Sequence, residues 1–129
     1  MKIIRYWLLP IIWMTIIFAF SSRQRVSVSD EYVLNFLFFK TLHVIEYAVL
    51  FFFLFRAIYS TKHNQSFFKD ALLQSAIIAI LYAASDEIHQ LFVPTREGTV
   101  RDLLIDCVGI FLMYSYIKNN IQRLKQLLY

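Results

Sequence analysis

The sequence predicts an all-α integral membrane protein, a bundle of four transmembrane helices, and three observations carry that prediction. Hydrophobic residues make up 59% of the 129 residues and aromatic residues 18%, more apolar surface than a water-soluble domain of this size usually holds. Two glycines and two prolines leave few places where a helix must stop. The apolar residues also fall into four stretches, 6–20, 36–59, 71–90 and 102–117, each near the length that crosses roughly 30 Å of hydrocarbon.

The first stretch follows Lys2 and Arg5, an arrangement shared with secretory signals, but no small-x-small cleavage site follows Phe20. It is therefore read as a retained helix over about 4–21. The remaining helices are expected over about 36–59, 70–90 and 101–118, with Pro94 and Gly98 breaking the chain between the last two. No internal repeat, low-complexity tract or linker divides the sequence, so 1–129 is read as a single domain. The lone Cys107 excludes an internal disulfide and any thiol-based zinc site. The formal charge is +4, but the basic residues are scattered between apolar runs rather than gathered on one face. Lipid headgroups, not nucleic acid, are the expected partners.

Orientation follows from those basic residues, because short loops rich in Lys and Arg stay cytoplasmic. Lys2, Arg5, Arg56, Lys62, Lys69, Lys118, Arg123 and Lys125 fall on one side, eight in all, against five on the other: Arg23, Arg25, Lys40, Arg96 and Arg101. The expectation is a multi-pass protein of the cell membrane with both termini cytoplasmic.

The polar residues inside these spans point to a site. Lys40, His43 and Glu46 recur at i, i+3 and i+6 in the first half of the second span, close enough to one face to reach a common interior. Glu46 lies roughly 14 Å below a boundary near Leu37, where a charge costs about 2.5–3.5 kcal/mol and requires a partner. The third span ends in Asp86, Glu87, His89 and Gln90, and the fourth opens with Asp102 and Asp106 one turn apart. Gly109 continues the face of Asp102 and would let another helix approach closely. Alternating helix orientation brings all of these ends to the same leaflet, where a base or nucleophile, several carboxylates and the cations Lys40, Arg96 and Arg101 suit phosphate chemistry at a lipid headgroup. Against this stand structural readings: Asp102 stabilising a helix dipole, Arg101 snorkelling to the interface, and His43 with Glu46 in a buried salt bridge that only fixes packing.

The same residues resemble the VanZ-like membrane proteins, named for a protein associated with resistance to glycopeptide antibiotics such as teicoplanin. The resemblance covers nearly the whole chain. It rests on Phe20-Ser21-Ser22, on Lys40-x-x-His43-x-x-Glu46-Tyr47, and above all on Asp86-Glu87-Ile-His89-Gln90-x-Phe-Val-Pro94-x-Arg96 followed by Asp102 and Gly109. Two departures stand out. The family pattern often has glycine where Thr95 stands and asparagine where Asp106 stands.

The resemblance implies action on cell-envelope lipids or lipid-linked precursors at the outer leaflet, as a phosphate-headgroup or lipid-carrier hydrolase or transferase. In that reading Arg96 and Lys40 hold a phosphate, with Gln90, Asp102 and Asp106 completing the binding site. His43 acts as general base or nucleophile, and Glu46 orients it. Asp86 and Glu87 donate a proton or bind a divalent cation, for which oxygen-rich ligation suits Mg, Mn or Ca; the sequence leaves the need for one open. Two alternatives remain: a non-enzymatic binder of envelope precursors or lipoglycopeptides, and a small proton-coupled transporter.

Overall fold

A computed structural model describes residues 2–24, 27, 30–61 and 65–128. Four helices account for most of them: α1 (Lys2–Ser21), α2 (Tyr32–Tyr59), α3 (Phe68–Gln90) and α4 (Val100–Leu128), with a 3₁₀ turn at Gln65–Phe67 leading into α3. Arg25, Lys62 and His63 lie outside the described residues. The expected boundaries hold at α1 and the end of α3. Helix α2 begins four residues before the expected 36, and α4 runs on past 118 through a break at Asn120, whose backbone (φ −122°, ψ 18°) leaves the helical region. Both extensions are polar or mixed segments, where an apolar-run criterion stops but backbone hydrogen bonding does not.

α1, α2 and α3 are long and apolar enough to cross a membrane. α4 falls short of that composition because Arg101, Asp102 and Asp106 crowd its first two turns, yet it packs along α2 more extensively than any other helix does. The distribution of side chains is that of a membrane protein. Ile4, Leu8, Leu81, Phe111 and many other large apolar residues face outward, while Ser75, Asp86, Glu87, Gln90, Asp102 and Asp106 are buried. Water would demand the reverse, whereas hydrocarbon does not.

α2 is the central element, packed against each of the other three. Its second half, Tyr47 to Tyr59, supplies more of the apolar core than any other helix does. Phe55 and Tyr59 stack with their centroids 5.3 Å apart, and Phe68 of α3 meets both edge-on. α2 and α4 run in the same direction, so Lys40 and His43 meet Asp102 and Asp106 in step. Gly109 makes the contact that sets their spacing: a β-carbon there would collide with the Val44 carbonyl. The close approach expected of Gly109 is thus realised against α2.

Candidate functional site

The site is built where α1 and α3 end and α2 and α4 begin. Local sequence explains how α4 starts. Thr99 caps it, its hydroxyl accepting the Asp102 N–H at 3.1 Å, as a side-chain oxygen at that position normally does. In a reciprocal capping box the acidic residue three positions on would receive the cap's own N–H. Here that N–H goes to Glu87 of α3 instead, at 3.0 Å. Asp102 is thereby released to pair with Lys40, at 2.6 Å. Gly98 lies so close to the Glu87 carbonyl that a β-carbon would clash with it, which brings the loop down onto the end of α3.

One turn further along, His43 Nδ1 lies 2.9 Å from Asp106 Oδ1. Asp106 is fully buried, and its second oxygen has no hydrogen-bond partner among the described residues. Asp86 accepts from the Tyr47 hydroxyl and from Gln90 Nε2, both at 3.3 Å, onto one oxygen; its other oxygen is likewise buried and unpartnered. Gln90 Nε2 also reaches Glu87 at 3.4 Å.

Two adjoining cavities open from this cluster. The first, about 400 Å³, is lined by Asn35, Lys40, His43, Gln90, Arg101 and Asp102 among others. The second, about 390 Å³, lies between α1 and α2, with Ile17, Phe20, Phe38 and Leu42 beside Glu46 and Asp86. Phe39, His43 and Arg96 line both. The common interior expected from the sequence is therefore a polar chamber beside a largely apolar one. Glu87 lies buried beside them and lines neither.

Several expected roles change. At 100° per residue, Glu46 sits about 120° round α2 from Lys40, whereas Tyr47, seven positions on, returns to within about 20° of it. Tyr47 therefore continues the Lys40–His43 face, and Glu46 turns toward the second cavity. The residue that orients His43 is Asp106, not Glu46. Asp102, expected to help bind the phosphate, is buried and ion-paired to Lys40. Arg96 does reach back over the bundle, but its guanidinium donates to the carbonyls of Arg23 (2.9 Å) and Phe20 (3.3 Å), tying the loop to the end of α1. Arg101 keeps most of its side chain exposed while touching Asp102 and lying over the Phe36 ring. His89 belongs to packing: it bonds Ser22 at 3.0 Å and lies against Phe18. Thr95 adopts a left-handed φ of 66°, a conformation glycine accepts without strain.

Tyr47 and Thr99 make contacts in the site that the sequence motifs do not assign to them. Tyr47 had a legible signal, the i, i+7 spacing from Lys40. Thr99 had a weaker one, a threonine three positions ahead of Asp102.

No curated protein and no solved structure matches the chain. A family model does: the one described as VanZ/LLP1 aligns with residues 6–122, a span that takes in all four helices and every residue of the cluster. The chain belongs to the VanZ/LLP1 family.

Proposed function

We propose that the protein acts on phosphate-bearing lipids or lipid-linked precursors of the cell envelope, at the outer leaflet, with both termini cytoplasmic. The observation that carries this reading is the pairing of the two cavities. A polar chamber with Lys40 and Arg101 on its wall, adjoining an apolar one between α1 and α2 with Phe39, His43 and Arg96 shared between them, matches an amphiphile whose headgroup and hydrocarbon part at His43. The reaction is hydrolysis or transfer at phosphorus. His43, oriented by Asp106, takes the proton of the attacking hydroxyl as the new P–O bond forms. The P–O bond to the departing group breaks, and the leaving oxygen takes its proton from the His43 imidazolium or by way of Asp86, which lines the second cavity. Arg101 and Lys40 meet the phosphate charge, and Arg96 holds the α1 end in place around it.

A proton-coupled transporter fits less well. Beyond Tyr47 the buried positions of α2 are Leu50, Phe51, Leu54, Phe55, Ala57, Ile58 and Tyr59. The buried Ser75 opposite them donates to its own helix at Ala71. A relay needs polar groups along the whole path.

The test is incubation of the purified protein with a panel of lipid phosphates, with products followed by mass spectrometry. His43→Gln should lower turnover about a hundredfold or more while lipid binding survives. Arg101→Gln should weaken headgroup binding about tenfold through loss of a charge-assisted contact. Binding without turnover, indifferent to His43→Gln, would replace the enzyme by a binder. Orientation is checked with single cysteines at Ser27 and Asn119 in a chain lacking Cys107: impermeant reagent on intact cells should label the first alone.

A further inference from the structure

We propose that His43, Glu87 and Asp106 form a binding site for one divalent first-row metal ion, of the Mn or Zn kind. A ring nitrogen of His43 and one carboxylate oxygen from each of Glu87 and Asp106 lie within 4.8 Å of one another. His43 Nδ1 and Asp106 Oδ1, 2.9 Å apart, already stand at the separation of neighbouring ligands on a metal with bonds of about 2.0–2.2 Å. The three come from three different helices, so a cation at their centre would clamp α2, α3 and α4 together.

A second observation points to the same place. Asp106 is entirely buried with one carboxylate oxygen unpartnered, and Asp86, 3% exposed, has another. Without a bound phosphate, the described cations of the site face Asp102 or backbone carbonyls rather than these carboxylates. Lys40 and Arg101 are on Asp102, and Arg96 bonds carbonyls at the end of α1 and just beyond it. Three buried carboxylates, those of Asp86, Glu87 and Asp106, are left to share one imidazole, with the neutral donors Tyr47, Gln90 and the Thr99 N–H as their other partners among the described residues. Buried carboxylates remain ionised when they are paired or coordinate a metal, and a divalent cation supplies the charge these lack. The ligand set departs from the Asp86 and Glu87 pair expected from the sequence. It also changes the metal: imidazole with carboxylates favours Mn or Zn over the all-oxygen shells of Mg and Ca.

The metal is tested apart from the proposed lipid chemistry, because it is read without lipid. The two meet at His43, which would hold the ion, and a bound ion would supply there the activation of the attacking group that the imidazole otherwise gives.

The experiment uses the full chain in detergent, tag removed, stripped with chelator and equilibrated with Zn²⁺ or Mn²⁺ at micromolar concentration. Elemental analysis should find about one ion per chain, and the melting temperature should rise with metal concentration. Asp106→Asn, which keeps shape and loses charge, should weaken binding at least about tenfold, as should Glu87→Gln, whereas His89→Gln should leave it unchanged. Co²⁺ added to the unmodified protein provides a reading independent of any variant's folding: nitrogen and oxygen ligation gives a visible d–d band. No stoichiometric ion and no band would overturn the site, as would binding indifferent to Asp106→Asn and Glu87→Gln.

Discussion

The two ends of the bundle are assembled by different rules. At the end where the termini lie, α2 from Leu50 to Tyr59 meets α3 and α4 through interchangeable apolar surface, with rings stacked at ordinary distances. At the other end the same helices are held by directed pairs: Lys40 with Asp102, His43 with Asp106, Tyr47 with Asp86, and the Thr99 N–H with Glu87. Glycines at 98 and 109 bring backbones within touching distance there. In hydrocarbon, apolar packing between helices competes with lipid of equal greasiness and specifies little. Buried polar groups have few acceptable alternatives to their partners. The apolar end supplies contact area, and the polar end sets register.

That contrast breaks most readily at Gly109. Gly109→Val should drive α4 away from Val44 and separate both ion pairs one and two turns above it, costing on the order of 3 kcal/mol or more. A sharp drop in thermal stability in detergent, with loss of lipid or metal binding, is the expected result. Little change would mean that α2 and α4 can separate freely. The counterpart at the apolar end is Phe55→Ala. It leaves a cavity but no unpaired polar group, and in lipid the transfer part of the usual cost falls away, leaving about 1–3 kcal/mol. Binding at the far end should survive it; coupled loss of binding would erase the distinction between the two ends.

The smallest effect is expected at Thr95, where the left-handed backbone strains a β-branched residue. Thr95→Gly should relieve that strain against a larger loss of unfolded-state freedom, a net gain of about 0.5–1 kcal/mol. A rise of a few degrees in melting temperature would place the site loop under strain in this chain, and a fall would show that Thr95 is held by contacts worth more than its backbone costs.

Much of the architecture was legible in the residues themselves. Four apolar runs, the breakers Pro94 and Gly98, and ionisable groups crowded at the ends of three helices are one-dimensional patterns, and hydrocarbon allows little but helices to answer them. The convergence of His43, Asp86, Glu87, Gln90, Asp102 and Asp106 followed from helix direction alone. Family membership was equally visible, in the string from Asp86 to Arg96.

Which of those groups touch was decided by tertiary structure. Helical spacing places Glu46 near His43, and alternating direction makes α2 and α4 parallel, yet neither says that the two pack side by side in the register that lets an aspartate 63 positions away take the place expected of Glu46. Nor could sequence show that Thr99 gives its N–H to Glu87, freeing Asp102 for Lys40, or that the Arg96 guanidinium bonds carbonyls at the end of α1 and just beyond it. Each outcome depends on interhelical distance, and here Gly109 and Gly98 set that distance by what they lack. A pattern in one chain segment determines which face is polar; only the packed bundle determines what that face meets, because hydrogen bonds and ion pairs act over about 3 Å.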